Sequence, residues 1–127
     1  MPNETIKKIE PVLGDERGTI ANILEAPISS IAIITSKKGA IRANHYHPDQ
    51  AQYVYLISGK YESVSKDLNK ENAKIERQII IPGHLVITPP MIAHAWNVLE
   101  DSVMLNLTTG SRASGKYEQH TKKYKLI

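Results

Sequence analysis

The chain of 127 residues contains no cysteine and no long apolar run. Without cysteine it can form neither a disulfide framework nor a thiolate nucleophile, and a zinc site with cysteine ligands is excluded. No apolar run approaches the roughly 18 residues of a membrane-spanning helix. The N-terminus also lacks the apolar segment of a signal peptide. We therefore expect a cytoplasmic protein without a membrane partner.

Helical patterns and phosphate-binding loops are also missing from the sequence. No segment repeats its apolar residues with a period of 3.6, so helices should be few or absent. There is no Gly-rich phosphate loop and no Gly-x-Ser-x-Gly elbow, and residues 110–115 are most simply a flexible link. The length predicts one domain. Its parts are N-terminal strands and turns at 1–27, a barrel at 28–109 and a basic C-terminal tail at 110–127.

Positive charge is concentrated in that tail. The formal net charge is +3, and residues 112–127 contain five basic residues and one acidic residue, which is +4, so the remainder carries −1. A basic tail can contact nucleic acid, but no basic sheet rich in aromatic residues accompanies it. Nucleic acid is therefore not the partner that we expect. A solvated tail, or a lid over an anionic substrate, fits this composition better.

Short β-prone segments alternate with turn residues, which is typical of a β-sandwich or barrel. The Gly59-Lys60 dipeptide predicts a tight hairpin turn, Glu100-Asp101 predicts a second one, and the polar residues 67–74 predict a hairpin tip. Strands are predicted at residues 6–9, 19–24, 28–35, 41–47, 52–58, 61–65, 74–81, 85–88, 94–99 and 102–107. The predicted fold class is all-β.

Three histidines and one glutamine form the candidate site. His45 and His47 are one residue apart at the end of an apolar strand, so both imidazoles should face the same side, together with Ile41. His94 and the amide oxygen of Gln52 complete a plausible ligand set for one divalent transition metal (Zn, Ni, Mn or Fe). Without a metal, imidazoles with a pKa near 6.5 can act as acid and base. The residues leave both interpretations open.

Three more side chains are candidates for binding a substrate. Arg42 is suited to a phosphate, because a guanidinium binds it with two hydrogen bonds. On a regular strand, however, Arg42 alternates away from His45 and points out of the barrel unless a β-bulge re-aims it. Trp96 shares its strand face with His94, and Asn106 can line the same cavity.

Two spaced patterns resemble the two motifs of the cupin family. The first motif is matched by glycines on either side of the His-x-His pair, with Gln52 at the place of a glutamate. In the second motif Met91 replaces an inner glycine, and Val98 stands where the motif has asparagine. The matching residues are Gly39, His45, His47, Gly59, Gly83, Pro89 and His94. The resemblance implies a jelly-roll barrel (a double-stranded β-helix).

Shorter features resemble the small nucleotide-sugar enzymes of that family. Residues 15–18 are similar to the Asp-x-Arg-Gly turn of this group, and Arg42 and Gln52 to the dTDP-sugar 3,4-ketoisomerases. Residues 94–109 followed by Tyr117-Glu118 resemble the end of the dTDP-4-dehydrorhamnose 3,5-epimerase barrel. This resemblance implies an enzyme without metal or organic cofactor that moves protons next to a ketone. His45 and His47 would be its acid and base, and a nucleotide-linked 4-keto-6-deoxyhexose its substrate.

Two other functions remain open from the sequence. One is a metal-dependent cupin of different chemistry, such as a dioxygenase, lyase or phosphosugar isomerase. The other is a cupin that binds a sugar or an anion without catalysis. We also expect a homodimer, because an N-terminal strand before the barrel presents a sheet edge of the kind that proteins usually cover.

Overall fold

The computed structural model describes residues 2–110 and 121–127, and every regular element in these two ranges is a β-strand. The strands are β1 (Thr5–Lys8), β2 (Leu13–Asp15), β3 (Gly18–Ile20), β4 (Ser30–Ser36), β5 (Ile41–Tyr46), β6 (Gln52–Asp67), β7 (Glu76–Ile80), β8 (His84–Thr88), β9 (Ile92–Thr108) and β10 (Lys122–Lys123). The predicted all-β fold class is confirmed. In the described part of the chain no helix is long and apolar enough to cross a bilayer.

Two long strands, β6 and β9, run through both layers of the barrel. The first half of β6 pairs with β8 and with the second half of β9. The second half of β6 pairs with β7 and with the first half of β9. Strands β1 and β4 extend the first layer, whereas β5 and β10 extend the second. All these pairs are antiparallel, and the result is a jelly roll.

The two short hairpins predicted at Gly59-Lys60 and Glu100-Asp101 are wrong. Both dipeptides lie inside long strands, where the pairing of β6 with β9 shifts its register repeatedly between Leu56 and Tyr61. Gly59 has a φ of 94°, and a Cβ atom there would lie 2.6 Å from the Cα atom of Ser102. The glycine therefore allows a bulged bend that carries one strand from layer to layer. The hairpin tip predicted at 67–74 is confirmed, since β6 and β7 pair across it.

The core lies between the two layers. Its buried apolar members are Val54, Leu56, Tyr61, Ile80, Val86, Trp96 and Met104. Alternate residues of a strand share one face, so polar residues of the same strands continue these faces into one end of the interior. On β6 this polar residue is Gln52, and on β9 it is His94, both of which are buried. Apolar burial thus holds the barrel together while one end stays polar.

Both ends of the chain pair with the barrel. β1 forms the edge beside β8, and β2 and β3 form a separate two-stranded hairpin. Residues 121–127 run along β5, where β10 adds a strand, so this part of the predicted tail belongs to a sheet. The link predicted at 110–115 (except Gly110) and the Tyr117-Glu118 pair lie outside the described residues.

Candidate active site

His45, His47 and His94 lie side by side at the polar end of the barrel interior. The ring centroids are 4.8 Å apart for His45 and His47, 4.7 Å for His45 and His94, and 5.8 Å for His47 and His94. One nitrogen from each ring lies within 4.8 Å of the other two. His94 is fully buried and His47 nearly so. The structure therefore brings together the three histidines that the sequence singles out.

A β-bulge in β5 sets the direction of the first two histidines. Ala43 pairs with Ala95 and His45 pairs with His94, which leaves Asn44 as an extra residue. Both Ala43 and Asn44 have positive φ, at 65° and 55°. A positive φ is uncommon for residues other than glycine and is least costly for asparagine. The sequence predicted a regular strand here. Ile41, which was expected to face inward with the histidines, is 54% exposed.

The structure places Arg42 outside the histidine cluster. Its Nε donates to Ser36 Oγ at 2.7 Å and its Nη2 donates to the Thr35 carbonyl at 2.8 Å. These two acceptors on β4 hold the guanidinium in a separate open cavity of about 650 Å³, which Lys37 and Asp101 also line. Arg42 was predicted to bind substrate beside the histidines, but the hydrogen bonds to β4 direct it elsewhere.

His94 is held in one tautomer by the backbone. Its Nδ1 lies 3.3 Å from the Ile92 carbonyl oxygen, which can only accept, so Nδ1 carries the proton and Nε2 keeps a lone pair. Burial, followed by the charges of His45 and His47, lowers the pKa of His94 well below its usual 6.5. The Nε2 atom is buried and makes no hydrogen bond to any described residue. His94 is therefore neutral and offers an acceptor.

Gln52 and Asn106 form an amide pair at the same end of the barrel. Gln52 Nε2 donates to Asn106 Oδ1 at 2.7 Å. Gln52 is buried, and its Oε1 atom has no hydrogen-bond partner among residues 2–110 and 121–127. A buried carbonyl oxygen without a partner is costly unless something binds it. The pair therefore presents an acceptor of known orientation to a ligand.

Two aromatic rings of the apolar core lie close to the histidine cluster. The Trp96 ring lies 5.8 Å from the His94 ring and 5.6 Å from the Tyr61 ring. Tyr61 is fully buried, its hydroxyl has no partner among the described residues, and burial raises its pKa well above 10.0. Trp96, predicted to bind substrate, thus lies in the core directly beneath His94.

Met91 explains the altered second motif. Its φ is 67°, the left-handed conformation that suits the glycine of the family pattern. Its backbone N–H donates to the His47 carbonyl at 2.9 Å. This hydrogen bond joins the loop before β9 to the end of the histidine strand. Met91 thus has the backbone conformation that a glycine at this place of the motif would favour.

A buried carboxyl group was not predicted from the sequence at all. Glu4 is only 3% exposed and accepts hydrogen bonds from Ser63 Oγ at 2.6 Å and Thr88 Oγ1 at 2.5 Å. Burial raises the pKa of Glu4. Nothing near Glu4 in the sequence indicates burial, because its partners are 59 and 84 residues away.

The histidine cluster fits a single divalent metal ion. His94 Nε2 is buried, unprotonated and without a partner in the described part of the chain, and the three histidines each bring a ligand nitrogen to one place. Neutral imidazole nitrogens are good ligands for Zn, Ni, Mn or Fe. His45, His47 and His94 would hold such an ion, and Gln52 Oε1 is the predicted fourth ligand. The bound ion would supply Lewis acidity.

Comparison with known proteins identifies the family. Residues 19–121 match the cupin family model. The chain belongs to the cupin family. No curated protein sequence matches it significantly.

Solved structures show the same cupin fold at low sequence identity. The rmlC epimerase of Mycobacterium tuberculosis is 18% identical, with a TM-score of 0.76 over 94% of this chain and 68% of that one. A dTDP-6-deoxy-D-glucose-3,5-epimerase of Legionella pneumophila is also 18% identical, with a TM-score of 0.76 over 95% and 72%. The QdtA 3,4-ketoisomerase of Thermoanaerobacterium thermosaccharolyticum is 21% identical, with a TM-score of 0.70 over 95% and 87%. These comparisons support the jelly-roll assignment.

Proposed function

We propose that this cupin is an isomerase or epimerase that acts on a nucleotide-linked 4-keto-6-deoxyhexose by proton transfer. The observation that carries the proposal is the cluster of His45, His47 and His94, together with two buried acceptor atoms, His94 Nε2 and Gln52 Oε1, that have no hydrogen-bond partner within residues 2–110 and 121–127. Support comes from structural neighbours whose names are those of sugar epimerases and a ketoisomerase.

The proposed reaction consists of proton transfers and changes no net oxidation state. A neutral imidazole, His45 or His47, takes the proton from the carbon beside the ketone, and the electron pair of that C–H bond forms an enolate. In an epimerisation the other histidine, which is protonated at the start, gives its proton to the opposite face of the same carbon. In a ketoisomerisation the proton returns to the former carbonyl carbon after the two oxygens exchange a proton. A positioned acid or base contributes about 10²–10⁴-fold to such a rate.

The remaining side chains bind and orient in this proposal. Gln52 Oε1 accepts a hydrogen bond from a sugar hydroxyl, and Asn106 fixes the amide by accepting from its Nε2. Neutral His94 accepts another hydrogen bond at Nε2, since its Nδ1 is engaged with the backbone. Trp96 provides an apolar floor beneath His94. These contacts would hold the reacting carbon against the two histidines.

The experiment is an assay of chelator-treated protein with dTDP-linked 4-keto-6-deoxyglucose, followed by NMR of the product. We expect conversion that chelator does not reduce. Loss of activity with chelator and its recovery with one added divalent ion would contradict the metal-free mechanism. The absence of any conversion would contradict the substrate class.

Substitution of Gln52 separates the two mechanisms further. In Gln52→Glu a carboxylate beside His45 and His47 favours the protonated imidazole, and this raises its pKa. The base form is then depleted at neutral pH, so activity falls and recovers only as the pH is raised. If the site is built for metal, the same substitution adds an anionic ligand and tightens metal binding. A pH–rate profile together with metal analysis of both proteins distinguishes the two.

A metal-dependent cupin enzyme is the second candidate function. It is favoured by the convergence of the three histidine nitrogens within 4.8 Å. Elemental analysis of protein purified without chelator should then give up to one Zn, Ni, Mn or Fe per chain, lost when His45 and His47 are both replaced. Metal binding that survives the double replacement would contradict this placement.

We also propose a homodimer. β1 pairs with β8 and forms the edge of the large sheet, and the β2–β3 hairpin that follows it is a second surface for a partner to cover. There Val12, Leu13 and Ile20 are 70%, 56% and 60% exposed, and contiguous exposed apolar residues commonly mark interfaces. Light scattering at micromolar concentration should give about twice the chain mass of 14.2 kDa. A monomer would contradict the proposal.

A further inference from the structure

The C-terminal residues 121–127 bind β5, which contains His45 and ends just before His47. Lys122 pairs with Tyr46, and Lys123 pairs with His45. The Tyr124 N–H donates to the Asn44 carbonyl at 2.9 Å. The segment therefore lies along β5 at the position of the bulge.

Asn44 holds the end of this segment with its side chain. Its Oδ1 accepts from the Leu126 N–H at 2.8 Å and from the Ile127 N–H at 3.1 Å. Its Nδ2 donates to the Ile127 carbonyl at 3.0 Å. Asn44 is also the extra residue of the bulge, with a φ of 55°. One residue thus both forms the bulge and binds the C-terminal segment.

Two further contacts fix the segment against the site. The Thr121 hydroxyl lies 3.4 Å from His47 Nδ1. Lys66 Nζ donates to the Tyr124 hydroxyl at 3.1 Å, and the same ammonium lies 5.7 Å from the centroid of the Tyr124 ring. A group bonded to one nitrogen of an imidazole orients the ring and directs the other nitrogen. Thr121 is placed to do this for His47.

We propose that residues 121–127 are a positioning element of the histidine site, which holds the β5 bulge through Asn44 and orients His47 through Thr121. Left-handed conformations at residues other than glycine persist only where the surroundings hold them, and the C-terminal segment supplies these contacts at Asn44. Small displacements of an acid or base reduce the rate strongly. The activity readouts below rest on the proposed function, whereas the NMR readout does not.

The first test replaces Asn44 by glycine. Asn44→Gly removes the side-chain hydrogen bonds but tolerates the positive φ, so it separates the contact with the segment from backbone strain. We expect kcat to fall about 10- to 100-fold with a smaller change in KM. The matched control is Asn72→Gly, because Asn72 has the same φ of 55° at the exposed β6–β7 tip. This control should keep full activity. Equal activity of the two variants would overturn the proposal.

The second test removes the segment itself. Deletion of residues 121–127 should lower kcat about as much as Asn44→Gly does, and the combined variant should lose no more than the deletion alone. When two changes disrupt the same contact, the combined variant loses no more kcat than the larger single change does. When two changes are independent, their fold-losses of kcat multiply. Losses that multiply, or a deletion that leaves kcat unchanged, would overturn the proposal.

The third test reads the histidine rings directly by NMR of their ¹⁵N nuclei in the folded protein. In Thr121→Val the signals of His47 should shift, in Thr121→Ser they should return to those of the wild type, and His94 should be unchanged in both. Asn44→Gly should shift the signals of His45. If the wild type shows no isomerase activity, the proposed function fails while these signals still decide the positioning role. Unchanged His45 and His47 signals in all variants would overturn it.

Discussion

Two groups of buried polar side chains lie inside the same barrel and differ in how they are satisfied. In the first group the Glu4 carboxylate is bound by the hydroxyls of Ser63 and Thr88. In the second group His94 Nε2 and Gln52 Oε1 are buried without a partner among the described residues. A buried polar group that is hydrogen bonded within the protein contributes to a stable fold. A buried polar group without a hydrogen-bond partner needs another explanation, such as the binding of a ligand. We infer that the Glu4 group stabilises the barrel and that the His94 and Gln52 group binds a ligand.

Strained backbone conformations also occur mainly next to the site histidines. Apart from glycine, four described residues have positive φ: Ala43, Asn44, Asn72 and Met91. Two of these directly precede His45, and Met91 is hydrogen bonded to the His47 carbonyl. Strained backbone tends to collect at functional sites, where the surroundings pay for it. The unpaired atoms and the strain thus point to the same end of the barrel.

The largest expected effect is the loss of activity when a site histidine is replaced. His45→Asn and His47→Asn should each lower kcat about 10²–10⁴-fold and change the unfolding free energy little, because they remove an acid or base but keep polar side chains. The control is His84→Asn at the start of β8, which should keep its activity. Full activity in both site variants would show that the histidine cluster is structural, as Glu4 is.

The converse prediction concerns stability. Glu4→Ala leaves the hydroxyls of Ser63 and Thr88 without their buried acceptor, so urea unfolding should show a loss of about 1–3 kcal/mol. Glu10→Ala is the control, because Glu10 is exposed in an ion pair with Lys8 and such pairs contribute about 0–1 kcal/mol. Equal losses of unfolding free energy in the two variants would show that the hydrogen bonds of Glu4 do not stabilise the barrel.

The pH dependence of stability should have opposite signs in the two groups. The folded pKa of Glu4 is raised above its usual 4.5, so its contribution is complete below 4.5 and is lost as the pH rises through the folded value. The folded pKa of His94 is lowered, so its contribution is complete above 6.5 and is lost as the pH falls. Urea unfolding should show that the advantage of Glu4→Gln over wild type grows with pH. A constant difference would contradict the burial of a titrating carboxyl group.

The smallest expected effect is a change in stability when the strained backbone at Met91 is relieved. Met91→Gly relieves a left-handed conformation that costs a methionine about 1 kcal/mol or more, although it also removes a half-buried side chain. We expect a thermal unfolding temperature at or slightly above that of wild type. A clear loss of stability would mean that Met91 contributes packing and that the strain argument does not hold there.

The sequence predicted the fold and the histidine cluster because both depend on local patterns. Alternation along a strand places Gln52 and His94 inside the barrel, and the spacing of the His-x-His pair sets His45 beside His47. The same local signals misled at Gly59 and at Glu100-Asp101, where turn residues mark bends inside continuous strands. Turn chemistry alone does not tell a chain reversal from a bulged bend.

What the sequence could not predict depends on contacts between distant residues. The burial of Glu4 depends on partners 59 and 84 residues away. The direction of Arg42 depends on acceptors in β4, and the position of the C-terminal segment depends on Asn44. The β5 bulge could not be predicted either, because an extra residue in one strand is recognised only from its pairing with the neighbouring strand.

The central claim is that the histidine cluster moves protons beside a ketone, and exchange with deuterated water tests it most directly. Chelator-treated protein would be incubated in D₂O with dTDP-linked 4-keto-6-deoxyglucose, and deuterium at the carbons beside the ketone followed by NMR. We predict incorporation by wild type and by Glu4→Gln, and none above background in the His45→Asn, His47→Asn double variant. Equal incorporation by the double variant, or none by any protein, would contradict the account.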